Sequence, residues 1–393
     1  MSIAVYLALE GRFLAERWLR AHPMATVRLV YADDSAAAAH EVQAHFPNVC
    51  AVVPLEAMAE EADENIVLPL SRVQRPLRYQ APTLLPDVRP HAALIARLWR
   101  AGYRRFTWYD LGGAQTLDLP WQLEELRDRH RGQRCFVVGN GPSLNQIDMT
   151  RLKDEITFGS NRGYLGFPEW GFEFNYWGIY DALQIEEYGP EYEHGVPEGP
   201  LKFYPLRYWP LLQLANACPV AMDFPRGASR EFSVDPARMS VGYSVTYMLL
   251  QIAAFMGCDP IYLVGLDHRY PSVRTPRLAR AVRLAGKWVA QRHDHTAWYR
   301  AAQGAAEAWQ IARSSGAVSE ARIWRADDAA GPTHFTNKYT GAQKRFLVPR
   351  PQDAERDYVC ARAWAEQHGR QILNATPDSA LKVFEHVDYN GLF

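Results

Sequence analysis

The sequence predicts an α/β protein, with a Rossmann-like, mostly parallel sheet in the main domain and a smaller α/β domain before it. Three observations predict this. Short β-branched apolar runs alternate with helical stretches, the pattern of strands joined by helices across a sheet. One run, Cys135-Phe136-Val137-Val138, breaks straight into Gly139-Asn140-Gly141-Pro142-Ser143, a strand ending in a glycine turn. Polar residues also fall at the ends of several runs, where an open α/β sheet holds its ligands. With 393 residues the chain has room for two domains, or three.

The first domain is read over 1–118. Ile3 to Leu9 is a strand, and Arg12 to His22 an amphipathic helix with Phe13, Trp18 and Leu19 near one face. Val27 to Tyr31 is a second strand ending at Asp33-Asp34-Ser35, a pair that reads as a helix cap more readily than as a ligand site. A helix over Ala36 to His45 follows, then strands at Val49 to Val53 and Ile66 to Pro69, a helix at His91 to Ala101 and a last strand at Arg105 to Tyr109. Residues 119–133 read as a polar linking helix.

The main domain is read over 134–393. Strand Cys135–Val138 leads to a helix from about Ser143 to Lys153; strands follow at 156–162 and 174–181, with Asp181 starting a short helix. Residues 190–239, rich in Pro, Tyr and Trp, carry no clear pattern. Val245 to Met256 is an apolar helix closed by Gly257, as a C-terminal glycine should close it. Ile261 to Gly265 is a buried strand delivering Leu266-Asp267-His268. A basic, Ala-rich helical insert occupies 271–330, with Arg274, Arg277, Arg280, Arg283 and Lys287 at near-helical spacing. It reads first as a solvated face. The alternatives are a lid, an acceptor-binding element, or peripheral membrane contact through 274–292. A helix from Asp353 to His368 and a strand from Gln371 to Pro377 end the pattern before the tail 387–393.

Composition narrows the function. Nearly half the residues are apolar, enough for a sizeable core, and a net charge of −1 argues against nucleic-acid binding. No apolar run approaches the ~18 residues of a membrane span. The start, Met1 to Leu7, reads as a strand and not a signal peptide. Five scattered cysteines read as reduced thiols of a cytoplasmic protein, without a structural zinc.

Candidate site residues gather at strand ends: Asn140 and Ser143, Ser160, Asn161 and Arg162, Asp181, Asp267 and His268, Asn374 and Thr376. A strand, glycine turn and helix start can hold a phosphate on free backbone N–H groups; the same pattern also makes a tight turn with no ligand. It is neither a full dinucleotide fingerprint nor a Walker loop. His268 or His334 would serve as a general base. Neighbouring helix residues diverge, so His293-Asp294-His295 reads as surface and not metal site. No Asp-x-Asp occurs, which tilts towards transfer without a metal.

The segment Phe136 to Leu144, followed by Ile156 to Arg162, resembles the superfamily that holds MptE-like 6-hydroxymethylpterin diphosphokinases, motility accessory factors and related bacterial sugar transferases. The resemblance continues through Gly257 to His268, Thr333-His334-Phe335, Ile372 to Pro377 and Val387-Asp388-Tyr389. It covers 134–393 apart from the insert. The Asn-Gly-Pro-Ser-Leu turn is also similar to that of bacterial sialyltransferases using CMP-sialic acid. That likeness implies that Asn140, Ser143 and Asn161 hold the nucleotide; Gly141, Pro142 and Leu144 join them from the turn, and Ser160, Arg162, Asp181, Asn374 and Thr376 from their places at strand ends. His334 would be the base, with Asp267 and His268 as further catalytic candidates, and Tyr339 or Tyr270 would meet the leaving phosphate. The expected function is a cytoplasmic, metal-independent glycosyltransferase moving a CMP-linked sialic-type acid onto a surface glycan, lipid-linked sugar or protein by inverting displacement. In that reading the phosphate charge rests on the N–H groups of Gly141 to Leu144. The alternatives are a Mg²⁺-dependent pterin diphosphokinase using ATP, with Asp181 and Asp267 placing the ion, and a non-catalytic nucleotide-sugar or glycan-binding protein.

Overall fold

Two mostly parallel sheets carry the chain. The structure, a computed structural model, describes residues 3–8, 12–31, 35–55, 57, 65–70, 72–75, 83–86, 88, 91–111, 113–223, 231–269, 323–325, 333–339, 345–347 and 349–393. Asp33, Asp34, Tyr270, the His293 to His295 run and the basic segment 274–292 lie outside them.

The first unit runs β1 (Ile3–Leu7), α1 (Arg12–Ala21), β2 (Val27–Tyr31), α2 (Ala36–His45), β3 (Val49–Pro54), β4 (Asn65–Leu68), β5 (Arg72–Arg75), β6 (Thr83–Pro86), α3 (Ala92–Arg100), β7 (Arg105–Asp110) and β8 (Gly113–Asp118). Its sheet has the order β3-β2-β1-β4-β7-β8. β8, which sequence reading missed, pairs antiparallel with β7. One reason it escaped notice is its Gly-Ala-Gln-Thr start, exposed along most of its length.

The second unit runs β9 (Cys135–Val138), β10 (Ile156–Ser160), α4 (Phe167–Trp170), β11 (Tyr176–Gly178), α5 (Ala182–Gly195), β12 (Leu201–Pro205), β13 (Ala217–Val220), β14 (Met222–Asp223), β15 (Met239–Ser240), α6 (Val245–Phe255), β16 (Ile261–Val264), β17 (Ile323–Arg325), β18 (Arg345–Leu347), α7 (Pro351–Gln367), β19 (Ile372–Asn374) and β20 (Glu385–His386). Eight strands form one sheet in the order β13-β12-β11-β10-β9-β16-β19-β20. The chain therefore leaves β9 in one direction, returns through α6, and continues on the other side from β16. That reversal is a switch point in strand order, the position at which such sheets place ligands.

The sequence explains these elements. All four residues of β9 are buried, so it reads as a continuous apolar run without alternation. All of α6 is buried too, between the sheet and α7, which is why it is apolar all round. Ser244 caps α6 by accepting from the Tyr247 N–H, and Gly257 takes the left-handed conformation just past its end.

Two expected helices are absent. Residues 119–133 hold only a 3-10 turn at Leu123–Leu126. The N–H groups of Asp128, His130 and Gly132 instead bond to the carbonyls of Phe255, Met256 and Gly257, satisfying the open end of α6. The expected helix after the glycine turn is two 3-10 turns, Pro142–Gln146 and Met149–Leu152, split by an extended Ile147 and an Asp148 that caps the second. Residues 190–239, unassigned from sequence, contain β12 and β13, whose buried faces are masked by prolines in the pattern. The two units share one apolar core, in which Phe106 packs edge-on against Trp209. The Trp209 indole N–H bonds to the Asp118 carbonyl at 2.9 Å.

Candidate functional site

The crevice between β9 and β16 is closed by the protein itself. The Gly141 N–H bonds to the Gly265 carbonyl at 2.9 Å. Asp267 accepts from the Ser143 N–H at 3.1 Å and from its hydroxyl at 2.6 Å. The Leu144 N–H turns back to the Gly141 carbonyl at 3.2 Å. Pro142 has no N–H to give. The expected phosphate cradle on Gly141 to Leu144 is therefore already filled, and a five-residue 3-10 turn supplies none of the dipole of a full helix. Ser143 and Leu144 are buried, Leu144 in the apolar core. The glycines serve close approach: a Cβ at Gly139 would strike the Gly265 carbonyl, and one at Gly141 the Asp267 carboxylate.

Asn374 and Thr376 belong to the same closed side. Both are fully buried. Asn374 donates to the Leu381 carbonyl and accepts from the Thr376 N–H, while Thr376 accepts from the Leu266 N–H at 3.1 Å. They brace the end of β16. Asp267 is likewise engaged within the chain, by the Ser143 N–H and hydroxyl. His268 turns away to α7, where Nε2 lies 3.2 Å from Glu355, and burial lowers its pKa.

The other side of β9, facing β10, is built differently. Asn140 Nδ2 donates to the carbonyl and the hydroxyl of Ser160, both at 3.2 Å. A carbonyl only accepts, so this contact fixes the amide orientation. The Asn140 and Asn161 Oδ1 atoms are buried with no hydrogen-bond partner among the described residues. Such orphaned acceptors are uncommon in folded proteins. Asn161 holds φ at +48°, a left-handed conformation that Asn tolerates better than most residues.

Residues 333–339 lie across these strand ends. The Phe335 N–H bonds to the Asn140 carbonyl at 3.1 Å, and Asn145 Nδ2 bonds to the Phe335 carbonyl at 2.8 Å. The His334 ring stacks on Tyr339 with centroids 3.7 Å apart and planes at 11°. His334 Nδ1 pairs with Thr333 Oγ1 at 2.9 Å. Burial, with help from Arg162, lowers the His334 pKa to about 3, so the imidazole is neutral at ordinary pH. Burial raises the Tyr339 phenol to about 12, opposed by hydrogen bonds from Asn161 and the Arg162 main chain. The structure thus brings together Asn140, Ser160, Asn161, Arg162, His334 and Tyr339.

Asp181 caps α5, accepting from the N–H groups of Leu183 and Gln184. Asp181 and Asp267 are the two carboxylates a Mg²⁺-dependent phosphoryl transfer would call on. Each accepts from protein donors, Asp181 from the start of α5 and Asp267 from Ser143. Among the described residues, no three His, Cys, Asp or Glu side chains gather as metal ligands.

Sequence reading missed Asn145 and Glu191. Asn145 follows the glycine turn directly and could have been noticed as another amide near the strand end. Glu191 sits in the stretch that carried no pattern, and nothing local marks it.

No family model matches the sequence, and no curated protein matches it. Among solved structures, the chain is distantly similar to the MAf glycosyltransferase from Magnetospirillum magneticum AMB-1. The likeness has 11% identity and a TM-score of 0.37, and covers 100% of this chain and 58% of that one. The chain therefore spans less than two thirds of that protein's length. Among the described residues, no helix is long and apolar enough to cross a membrane.

Proposed function

We propose that this chain is a glycosyltransferase that takes a nucleotide-activated sugar at the carboxyl ends of β9 and β10, with a CMP-linked sialic-type acid as the donor. The observation that carries the reading is the neutral His334 imidazole, stacked on Tyr339 and tied through Phe335 to Asn140, beside two orphaned amide oxygens. The orphaned oxygens suit the hydroxyl or amino donors of a nucleotide. His334 Nε2 takes the proton of the acceptor hydroxyl as that oxygen attacks the anomeric carbon, and the bond to the CMP phosphate breaks on the opposite face. The protonated Tyr339 phenol is the donor for the departing phosphate; the backbone of residues 141–144 has none to offer.

A pKa near 3 makes His334 by itself a weak base. A bound phosphate next to it raises that pKa, because a nearby anion favours the imidazolium. The base is thus strengthened only when the donor is present. The acceptor in this reading is a glycan, a lipid-linked sugar or a protein, reached from the side of the 333–339 segment.

A thermal-shift panel with CMP, CDP, UDP, GDP and ATP, each with Mg²⁺ and with EDTA, tests the proposal. A ligand specific to the folded state at a hundredfold excess over its Kd adds about 2.7 kcal/mol of apparent stability. Stabilisation by CMP that survives EDTA is the expected result. A Mg²⁺-dependent shift with ATP alone would replace the transferase by the diphosphokinase. A shift with UDP or GDP would keep the transferase and change the donor.

A further inference from the structure

We propose that Arg162 is a positioning residue that holds the 333–339 segment against the end of β10 and so fixes the His334 ring, rather than a contact for the nucleotide. The proposal rests on the reading of His334 as the base, and it is argued from contacts within the chain.

Arg162 is 1% exposed although it carries a full charge. Its Nη1 donates to the Tyr339 carbonyl at 2.6 Å, and its Nη2 to Glu191 Oε2 at 2.5 Å. The guanidinium lies 5.3 Å from the Tyr188 ring centroid, on α5. Glu191 is held in turn by the Tyr164 hydroxyl at 3.0 Å. The guanidinium therefore bridges two elements far apart in sequence, α5 and the 333–339 segment. A buried charge is stable only when paired and hydrogen-bonded, and these two contacts supply both conditions.

The same residue reaches the other end of Tyr339, since its main-chain N–H bonds towards the phenol oxygen, as does the Asn161 side chain. Tyr339 is gripped at its carbonyl and at its hydroxyl, and the ring between these grips is the surface on which His334 stacks. Phe335, pinned to Asn140 and Asn145, fixes the chain on the far side of His334. The imidazole thus sits between two anchored neighbours, and one of the two anchors is Arg162. The left-handed Asn161 turns the chain at the end of β10 immediately before Arg162.

The charged and titratable groups around the stacked pair are Arg162, Glu191, Asp181, Tyr164 and Tyr192. Arg162 is the one that acts directly on His334, and it disfavours the imidazolium. Removing it therefore acts on His334 in two ways, through position and through charge.

The test follows the His334 ring by NMR in the full chain, reading its titration and its cross-peaks to Tyr339, with CMP binding measured in parallel. In wild type the midpoint should lie at about 3, with strong cross-peaks from the stacked rings. Arg162→Met should raise the midpoint by roughly one unit or more, and weaken the cross-peaks, while CMP affinity changes less than about threefold. Arg162→Lys keeps the charge but cannot bridge both partners, so it should weaken the cross-peaks with a smaller change in midpoint. Glu191→Gln, at a half-exposed position, is the variant that decides if Arg162→Met fails to fold; it should loosen the cross-peaks in the same direction. An unchanged midpoint and unchanged cross-peaks in these variants would overturn the proposal. So would a large loss of CMP affinity with His334 undisturbed, which would make Arg162, through an Nε unpartnered among the described residues, a ligand contact. Should CMP not bind wild type at all, the CMP-linked donor falls, and the NMR result still decides the role of Arg162.

Discussion

On one side of β9 the glycine turn is bolted to the end of β16, with Ser143 held twice by Asp267 and Asn374 and Thr376 bracing from behind. On the other side, towards β10, Asn140 and Asn161 keep buried oxygens with no partner among the described residues, and a segment from far along the chain brings a neutral histidine beside them. Both sides use the same residue types at the same sheet end. Amides, hydroxyls and carboxylates after strands serve either as braces or as ligand contacts. What separates the two roles is whether a neighbouring strand end presents a complementary group. Where β16 offers Gly265 and Asp267, the polar groups are satisfied internally; where β10 ends at Ser160, the Asn140 amide nitrogen is satisfied, but its oxygen and that of Asn161 find no partner among the described residues.

The sharpest way to break the closed side is Gly141→Ala. Its Cβ would fall on the Asp267 carboxylate, so the turn and β16 must separate, with an expected loss of roughly 3 kcal/mol or more; chemical denaturation measures it. Asp267→Ala removes two charge-assisted bonds to Ser143 and should cost about 2 kcal/mol, with CMP affinity unchanged in the protein that remains folded. On the open side the balance reverses. Asn140→Ala should cost at most about 1 kcal/mol of stability, yet weaken CMP binding by about tenfold.

A pH dependence of stability is expected as well. His334 has a folded-state pKa of about 3 against an ordinary value of 6.5. Below 6.5 the unfolded chain takes up a proton that the folded chain refuses, so stability falls as pH drops from 6.5 towards 3. In His334→Phe that part of the decline should vanish, which acid titration of the melting temperature would show.

Much of the fold was legible in the sequence because its signals are local. The four apolar residues of β9, the apolar run of α6 with Ser244 and Gly257 at its ends, and the amphipathic α1 each mark themselves. The stretch 119–133 misled because its helical composition is overridden by bonds to the end of α6, a partner more than a hundred residues away. The site was half legible for the same reason. Asn140, Asn161 and His334 were visible as polar residues in telling places, but nothing local distinguishes them from Asn374, Thr376 or Asp267. That distinction depends on which strands become neighbours. Arg162 and Glu191 were harder still, because their link joins β10 to α5 and to residue 339.

The central claim is that the nucleotide meets the β10 side of β9 and not the β16 side. Calorimetric titration of CMP in EDTA against wild type, Asn161→Ala and Thr376→Val tests it most directly. The account predicts that Asn161→Ala weakens binding by about tenfold, while Thr376→Val lowers the melting temperature and leaves the affinity of the folded protein intact. Loss of binding in Thr376→Val with wild-type affinity in Asn161→Ala would place the ligand on the side described here as closed, and would contradict the account.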